Sequence, residues 1–326
     1  MIKFSIIIPV KSINDYVRET VPYIQNLSGP EWELFIIPNN DEPNEWVSDH
    51  RIRITPSGRV GPADKRDMGA KVASGDVLVF LDDDSYPDKN LLDIARDRFA
   101  DPDVVALGGP AMTPPDDSFW QKVSGAVFLS KFSGGAPERY VPVGDARFVS
   151  DWPSVNFMVR KEAFLAVGGF DSPYWPGEDT KLCLDLINKT KQKILYVPEM
   201  IVWHHRRAGL LAHLRQVGGY GIHRGYFAKK YPQTSRLPLY FVPSMFAIFV
   251  FMTVLGLVLS AGPSRLLVVG WVVYALALTK ALFDMRRYEA IGVAIAALPY
   301  VFLTHFWYGV RFIQGYLTPR LVSRLR

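Results

Sequence analysis

Three consecutive carboxylates, Asp82, Asp83 and Asp84, directly follow the apolar run 77–81. A buried strand that ends in clustered negative charge cannot bury that charge unpaired, so the cluster is expected at the carboxyl end of the strand, facing a cation. In an open α/β sheet this edge binds ligands. Oxygen ligands suit Mg²⁺ or Mn²⁺, which bridges nucleotide phosphates and neutralises a departing diphosphate. The triplet therefore predicts a nucleotide derivative as substrate, with a plain turn through residues 85–88 as the open alternative.

A second acidic pair, Glu178 and Asp179, follows a segment rich in glycine and tryptophan and precedes the helix-like run 180–186. If that segment presents Asp179 to a bound sugar, the carboxylate can take a proton from an incoming hydroxyl while a metal-held diphosphate leaves from the opposite face. Trp175 offers a stacking surface for a sugar ring. The pair therefore indicates group transfer from an activated sugar, with an acidic N-terminal helix cap as the alternative.

Alternating strand-like and helix-like segments must position these acids. Apolar strand-like runs at 4–10, 32–38 and 77–81 are separated by helix-like segments at 14–27 and 65–74. This alternation predicts a doubly wound α/β domain. Its first turns lack a G-x-G-x-x-G fingerprint and a G-x-x-x-x-G-K-S/T loop, so neither a dehydrogenase nor a P-loop enzyme has support. A bound metal ion is then expected to bind the diphosphate and neutralise its charge.

Polar residues also follow the second of these strands. Asn39, Asn40 and Asp41 come directly after the run 32–38. At the ligand-binding edge of the sheet, they are placed to bind the base or the ribose of a nucleotide. A simple Asn/Asp turn without a ligand is the alternative.

Three apolar stretches near the C-terminus are long enough to cross a bilayer, which takes about 20 apolar residues in a helix. They are Leu239–Ser260, Leu266–Phe283 and Ala290–Val310. Their only members that carry charge near neutral pH are Lys280, near the end of the second, and His305 in the third. The chain is therefore predicted to divide into a catalytic domain at 1–232 and a membrane region with two or three apolar helices at 233–326.

Basic residues flank these stretches and predict their orientation. The rule that positive loops stay in the cytoplasm favours a cytosolic N-terminal domain. Three full crossings would then export the basic tail, so the third stretch, with Pro299, His305 and the aromatic run 306–308, is the candidate for a re-entrant or interfacial segment. The choice between two and three crossings stays open. The flanking residues are Lys229, Lys230, Arg236, Arg286, Arg287, Arg311, Arg320, Arg324 and Arg326.

Charge and cysteine content indicate a cytoplasmic membrane surface. The net charge of +5 and the pI near 9.1 come largely from residues beside the apolar stretches, where they would meet anionic lipid head groups and not nucleic acid. The single Cys183 precludes an intramolecular disulfide and agrees with a reducing cytosol. Residues 1–10 have the pattern of a strand and not of a cleavable signal peptide. We therefore expect a multi-pass protein of the cell (inner) membrane with a cytoplasmic catalytic domain.

Residues 3 to 230 resemble a membrane-bound member of glycosyltransferase family 2, which has the GT-A fold. The motifs that carry the resemblance are Ser5–Val10, Lys65-Arg66-x-x-Gly69-x-x-x-Ala73-x-Gly75-Asp76, Asp82-Asp83-Asp84, Asn156–Lys161, Gly168-Gly169-Phe170-Asp171 and Gly177-Glu178-Asp179, in this order. The resemblance implies a nucleotide-sugar-binding, Rossmann-like mixed sheet followed by C-terminal transmembrane helices. It also implies an inverting transfer that depends on Mn²⁺ or Mg²⁺.

The resemblance implies roles for individual residues. Asp84 binds the divalent metal, Asp82 or Asp83 contacts the ribose or the metal shell, and Asp179 is the catalytic base. A histidine downstream has a metal or diphosphate role, and either His204 or His205, after a strand-like run at 194–202, fills it. The further candidates are Glu178 as a second catalytic residue and Pro9, Asp41, Lys65 and Arg66 at the donor. For Lys65 and Arg66 the alternative is a solvated helix face.

Basic residues close to the first apolar stretch form a weaker group of candidates. Arg215, His223 and Arg224 lie there, and guanidinium groups pair with phosphate in a fork, so they can hold phosphates of the donor or of a lipid acceptor. Interfacial anchoring is the alternative for each of them. Trp175 belongs to the same weaker group, as an acceptor contact.

Two departures from the family pattern narrow the prediction. The turn after the second strand has the sequence Asn39-Asn40-Asp41. Asp41 is therefore the carboxylate expected to bind the nucleotide base, and the identity of the nucleotide stays open. The Q-x-x-R-W motif of processive polymer synthases is replaced by the sequence of residues 216–220, which favours addition of one sugar per encounter. We therefore predict transfer from a nucleotide-diphosphate sugar to a hydroxyl of a polyprenyl-type lipid-linked acceptor in cell-envelope glycan assembly. The alternatives are a polyprenyl-phosphate glycosyl synthase and an inactive membrane scaffold.

Overall fold

The structure is a computed structural model that describes residues 2–170, 173–259 and 265–321. Four residues named above lie outside the described residues: Asp171, Ser260, Arg324 and Arg326. The described chain forms two compact units. The first unit comprises the residues up to Pro114 together with Val141–His205, and the second comprises Pro115–Tyr140 together with Arg206–Leu321. The division at residue 232 that the sequence indicates stays a prediction.

All strands found among the described residues belong to the first unit. In chain order they are β1 (Phe4–Pro9), β2 (Trp32–Ile37), β3 (Ile52–Ile54), β4 (Val77–Leu81), β5 (Ser85–Pro87), β6 (Val104–Gly108), β7 (Ala111–Met112), β8 (Arg147–Val149), β9 (Asn156–Arg160), β10 (Lys193–Tyr196) and β11 (Val202–His204). Most form one mixed sheet in the order β3-β2-β1-β4-β9-β6-β10-β8, and β5-β11-β7 form a second, small sheet. In the large sheet β3, β2, β1 and β4 are parallel, whereas β9 runs antiparallel to both of its neighbours.

The helices are divided between the two units. The first unit contains α1 (Asp15–Gln25), α2 (Pro62–Val72), α3 (Leu91–Arg98), α5 (Lys161–Val167) and α6 (Glu178–Thr190). The second contains α4 (Phe119–Ala126), a 3₁₀ turn at Pro137–Arg139, α7 (Leu210–Lys230), α8 (Pro232–Ser235), α9 (Pro238–Val258), α10 (Arg265–Met285) and α11 (Ile291–Leu317).

Helices cover both faces of the large sheet, because successive side chains of each strand point to opposite sides. Ile6 and Ile8 of β1 pack into one core with apolar residues of α1 and α3. Ile7, between them, packs into a second core with residues of α2, α5 and α6, which includes the buried Cys183. The predicted α/β domain is confirmed, with a mixed sheet.

The predicted elements agree with the structure except along one segment. Val77–Leu81 is the strand that the sequence predicts, and Asn14 accepts from the Val17 amide (2.9 Å) as the N-cap of α1. The prediction of one strand over 194–202 is wrong. The chain turns after Tyr196, where the Met200 amide donates to the Val197 carbonyl (3.2 Å), so the segment supplies β10 to one sheet and β11 to the other.

Within the described residues of the second unit, three helices are long and apolar enough to cross a membrane: α9, α10 and α11. Two match the predicted stretches closely, while α11 continues to Leu317, beyond the predicted end at residue 310. Pro299 lies inside α11 without ending the helix. The prediction of C-terminal helices that can span a membrane is therefore confirmed.

A buried histidine joins three helices of the second unit. His213 of α7 is fully buried, its Nδ1 lies 2.8 Å from the Ser124 hydroxyl of α4, and its Nε2 lies 2.8 Å from the Thr304 hydroxyl of α11. A neutral imidazole satisfies this arrangement, since one ring nitrogen donates and the other accepts. Burial lowers the pKa of His213 from its ordinary 6.5 to about 4.

We expect the protein to lose stability as the pH falls from about 6.5 to about 4. In this window the unfolded chain binds a proton at residue 213 and the folded chain does not, so acidification favours unfolding. The melting temperature of detergent-purified protein at pH 7.5 and pH 4.5 measures the effect. The decrease should be smaller in His213→Gln and unchanged in His50→Gln, which alters an exposed histidine. An equal decrease in all three proteins would contradict this origin.

Candidate active site

Strand pairing brings His204 to the acidic triplet. Asp82 and Asp84 follow β4, and β5 begins at Ser85, which lies opposite His204 in the antiparallel pair of β5 and β11. As a result, Nε2 of His204 lies 3.1 Å from Oδ1 of Asp84. The backbone amide of His205 donates to the Asp84 carbonyl (2.9 Å) and continues the same pairing.

Asp82, Asp84 and His204 form a cluster that fits a divalent cation. One potential ligand atom of each lies within 4.8 Å of the others. Two carboxylate oxygens and an imidazole nitrogen suit Mn²⁺, and the carboxylates also suit Mg²⁺. Asp84 is only 5% exposed, so its negative charge needs a positive partner. The structure thus assembles the predicted metal residues Asp84 and His204 and adds Asp82, which was predicted at the donor.

Arg66 connects the triplet to the second acidic pair. Its Nη2 donates to Oδ1 of Asp82 (2.6 Å) and its Nη1 to Oε1 of Glu178 (3.3 Å). Arg66 is 3% exposed, and its guanidinium lies 5.4 Å from the ring centroid of Phe170. Glu178 is also buried, and Nε of Arg66 and Oε2 of Glu178 have no hydrogen-bond partner within the described residues. The start of α6 is therefore held beside the end of β4.

The two acids at the start of α6 have different environments. Burial, helped by the neighbouring charge of Asp179, raises the pKa of Glu178 well above its ordinary range, and Arg66 opposes this rise. Asp179 is half-buried, and its Oδ1 accepts from the Thr180 amide (2.7 Å). Gly177 permits the turn before them, with φ at +117°. Of the pair, Asp179 has the more accessible side chain.

Lys65 lies under the ends of β1 and β2. Its Nζ donates to the Val10 carbonyl, next to Pro9 at the end of β1, and to Oδ1 of Asn39 (2.6 Å) after β2. Burial lowers the pKa of Lys65, and Asp83 opposes the decrease. With only 3% of Lys65 and of Arg66 exposed, the alternative of a solvated helix face is wrong. Lys65 therefore holds the polar turn at residues 39–41 through its hydrogen bond to Asn39.

The remaining predicted residues of the first unit surround this edge in different ways. Nδ2 of Asn14 donates to Oδ2 of Asp83 (2.9 Å), which turns Asp83 toward α1. Nε2 of His205 lies 3.0 Å from Oε2 of Glu19 and is not part of the metal-ligand cluster. Asp41 is exposed in the turn after β2, and Trp175 is half-buried in the segment before α6.

Close packing of α2 against β1 requires the glycine at position 69. A Cβ on Gly69 would lie 2.7 Å from the Ile7 side chain, so α2 approaches β1 too closely for any larger residue. The Asp67 carboxylate accepts from the Phe170 amide (2.9 Å). This close approach and this hydrogen bond hold α2, which carries Lys65 and Arg66, against the sheet.

Two of the weaker candidates lie inside the second unit and one lies at its surface. His223 is buried, its Nδ1 contacts the Gly219 carbonyl (2.8 Å), and its Nε2 has no hydrogen-bond partner within the described part of the chain. Arg224 reaches the Ser235 hydroxyl (3.3 Å), and Arg215 is exposed on α7.

An arginine–tyrosine cluster lies in the second unit, near the start of α9, and no pattern in the sequence predicts it. The Arg224 guanidinium lies 5.0 Å from the Tyr240 ring centroid, and that of Arg206 lies 5.0 Å from the Tyr140 ring centroid. Arg139 and Arg224 both lie within electrostatic range of Tyr308. We define the cluster as Arg139, Arg206, Arg224, Tyr140, Tyr240 and Tyr308.

We expect His204→Ala to weaken Mn²⁺ binding by about 10-fold or more, since it removes one of the three clustered ligands. The matched variant His205→Ala removes the neighbouring imidazole, which contacts Glu19, and should leave Mn²⁺ affinity within about 2-fold. Titration of the free-Mn²⁺ electron paramagnetic resonance signal measures both. Equal losses in the two variants would contradict the assignment of His204.

The chain is similar in sequence to two proteins that are named as glycosyltransferases. The chain is 26% identical over 235 residues to the pre-mycofactocin glycosyltransferase of Mycobacterium tuberculosis, covering 70% of this chain and 48% of that protein. It is 25% identical over 149 residues to the glucosyl-dolichyl phosphate glucuronosyltransferase of Haloferax volcanii, covering 43% of this chain and 46% of that protein. The chain thus spans about half the length of these relatives.

A solved structure and a sequence profile identify the fold and the family. The mannosyltransferase of Pyrobaculum calidifontis, solved in complex with GDP-Man and Mn²⁺, has a TM-score of 0.54 and 16% identity. The match covers 96% of this chain and 86% of that one, which confirms the predicted GT-A fold. The profile of glycosyl transferase family 2 matches residues 5–168, half of the chain. The chain therefore belongs to glycosyl transferase family 2 and is a glycosyltransferase.

Proposed function

We propose that this glycosyltransferase transfers a sugar, with inversion, from a nucleotide-diphosphate donor to a hydroxyl of a polyprenyl-type lipid-linked acceptor. The observation that carries the proposal is the chain of contacts from His204 and Asp84 through Asp82 and Arg66 to Glu178 at the start of α6. These contacts link the candidate cation site to the second acidic pair at one edge of the sheet.

Donor binding is assigned to the edge at which β1, β2 and β4 end. Asp82, Asp84 and His204 would hold Mn²⁺ or Mg²⁺, which supplies charge neutralisation to the diphosphate. The buried Arg66 keeps the Asp82 carboxylate in place, and Lys65 fixes the turn before Asp41, the candidate contact for the base. The GDP-Man and Mn²⁺ in the mannosyltransferase of similar fold support a nucleotide-sugar donor and a metal.

Asp179 is assigned as the general base that takes the proton of the acceptor hydroxyl. Its half-buried carboxylate remains accessible, whereas the carboxylate of Glu178 is buried against Arg66. Glu178 then acts as a positioning residue that fixes the first turn of α6. Trp175, two residues before Gly177, is assigned to the sugar or the acceptor.

The acceptor assignment rests on the second unit. Its three apolar helices suit a lipid-linked substrate, and the relative from Haloferax volcanii is named for transfer to a glucosyl-dolichyl phosphate. We place the enzyme in the inner membrane with its catalytic unit in the cytosol and assign it to cell-envelope glycan assembly. The catalytic domain is proposed to end near residue 232.

The arginine–tyrosine cluster favours a second candidate, a polyprenyl-phosphate glycosyl synthase. In that reaction the acceptor oxygen belongs to the lipid phosphate, which is already ionised and needs no general base. Arginines beside the first apolar helix match a phosphate acceptor, because guanidinium groups bind phosphate in a fork. Asp179 would then matter far less than Asp84.

Transfer from radiolabelled nucleotide sugars to two defined acceptors distinguishes these functions. One acceptor is a polyprenyl phosphate, and the other is a polyprenyl-diphosphate-linked saccharide. We expect label on the saccharide, as established by product mass. Label only on the polyprenyl phosphate would establish the synthase, and nucleotide-sugar binding without transfer to either acceptor would favour the inactive scaffold.

A further inference from the structure

We propose that Arg66 is a positioning residue that couples the candidate cation site to the first turn of α6. Through Arg66, a cation bound to Asp82 and Asp84 would strengthen the hold on Glu178 and so steady the neighbouring Asp179. The inference rests on the cation site proposed above, but not on the identity of the donor or of the acceptor. Every contact used below lies within the first unit.

A single guanidinium serves two carboxylates that come from separate elements. Nη2 of Arg66 donates to Oδ1 of Asp82 (2.6 Å), after β4, and Nη1 donates to Oε1 of Glu178 (3.3 Å), in α6. Arg66 is 3% exposed and Glu178 is 4% exposed. Because water cannot replace a lost partner at such a buried pair, a change in one of the two contacts must affect the other. Asp82 and Glu178 therefore compete for the charge of Arg66.

The pair of Arg66 and Glu178 has room for a second hydrogen bond. Oε2 of Glu178 is buried and has no hydrogen-bond partner among the residues that the structure describes. A guanidinium can hold a carboxylate in a fork of two parallel N–H···O bonds. A fork that includes Nη1 of Arg66 also uses Nη2, the nitrogen that donates to Asp82. Weakening of the bond to Asp82 would therefore free Nη2 to complete the pair with Glu178.

A divalent cation on Asp82 would cause such a weakening. Asp82 offers one of the three clustered ligand atoms, together with Asp84 and His204, whereas Glu178 is outside this cluster. A cation there would draw on the carboxylate charge that holds Nη2 of Arg66, and it would repel the guanidinium. The interaction of Arg66 would shift from Asp82 toward Glu178. The first turn of α6, which carries the proposed general base, would then be held more firmly when the cation is bound.

Another hydrogen bond holds the first turn of α6 without the participation of Arg66. The Thr180 hydroxyl donates to Oδ2 of Asp151 (3.2 Å), which precedes β9, and Thr180 is buried. Thr180→Val removes this hydrogen bond but keeps the shape of the side chain and leaves Arg66 and Glu178 unchanged. It is therefore the matched control for a general loosening of the turn.

A double-mutant cycle on Mn²⁺ affinity tests the coupling. The titrations follow the free-Mn²⁺ electron paramagnetic resonance signal at pH 8.5, because burial raises the pKa of Glu178 and the higher pH ionises this carboxylate. We expect Glu178→Gln to weaken Mn²⁺ binding by about 5-fold or more, since Arg66 then pairs with Asp82 alone. In Arg66→Gln protein the same substitution should change Mn²⁺ affinity by less than about 2-fold, and Thr180→Val in the wild-type background should do the same.

The cycle separates coupling through Arg66 from two simpler effects. If the charge of Glu178 acted on the cation directly, Glu178→Gln would weaken Mn²⁺ binding equally with and without Arg66, which would overturn the inference. A loss in Thr180→Val as large as in Glu178→Gln would also overturn it, because loosening of α6 would then suffice. Wild-type protein that binds no Mn²⁺ would overturn the cation site itself, and the inference with it.

Hydrogen exchange provides a second test, in which Arg66 is unchanged. Mass spectrometry follows the amides of residues 178–186 in wild-type protein and in Glu178→Gln, each at saturating Mn²⁺ and in chelator. We expect Mn²⁺ to slow this exchange by about 3-fold or more in wild-type protein and to leave it unchanged in Glu178→Gln. Slowing of equal size in both proteins, or no slowing in wild-type protein that binds Mn²⁺, would overturn the inference whatever the enzyme's activity.

Discussion

Asp84→Ala is expected to lower the affinity for the nucleotide-diphosphate donor in the presence of Mn²⁺ by about 100-fold or more. The reason is that Asp84 contributes a carboxylate to the three-residue cluster and is the most buried carboxylate of the triplet. In chelator, wild-type protein should bind as weakly as the variant. Calorimetric titration with a nucleoside diphosphate, with Mn²⁺ and with chelator, gives the affinities.

Asp88→Ala is the matched control for this prediction. Asp88 follows β5, four positions after Asp84, and its carboxylate accepts from the Asn90 amide in a turn outside the metal-ligand cluster. It should retain wild-type affinity. Metal-dependent donor binding that survives in Asp84→Ala would show that the cation site lies elsewhere.

Asp179→Asn is expected to leave donor affinity within about 2-fold and to lower turnover by about 100-fold or more, the usual scale for a lost general base. Asparagine keeps the size of the side chain and an oxygen for the Thr180 amide, so the first turn of α6 should remain in place. Initial rates at saturating donor and acceptor, with donor titration in parallel, separate the two effects.

Asp185→Asn provides a control on the same helix, since Asp185 lies six residues after Asp179 and pairs with Lys181. It should change neither turnover nor affinity by more than about 2-fold. If Asp179→Asn lowers donor affinity as much as Asp84→Ala does, the separation of base and metal site is wrong. If turnover is unaffected while Asp84→Ala is inactive, the lipid phosphate is the acceptor.

The strand that carries the triplet could be predicted because its signal is local. Five apolar residues followed by three aspartates define both the end of β4 and the chemistry at that end. The alternation of strands and helices in the first unit is equally local. The choice between His204 and His205 was not predictable, because it depends on the register of β11 against β5, which was hidden when residues 194–202 appeared to be one strand.

Contacts between residues far apart along the chain could not be predicted from the sequence. Arg66 meets Glu178 across 112 positions, and only the packing of α2 and α6 on the sheet brings them together. For the same reason, burial of Lys65 and Arg66 could not be inferred from an amphipathic pattern on α2. In the second unit, Ser124, His213 and Thr304 come from three separate stretches of the chain.

The most direct test of the account is thermal stabilisation of the detergent-purified protein by a panel of nucleoside diphosphates, with Mn²⁺, with Mg²⁺ and with chelator. A ligand that binds the folded state raises the melting temperature by mass action. We predict a shift with one nucleoside diphosphate that requires the metal and disappears in Asp84→Ala. No shift with any nucleotide, or a shift that persists equally in chelator, would contradict a metal-dependent donor site at the end of β4.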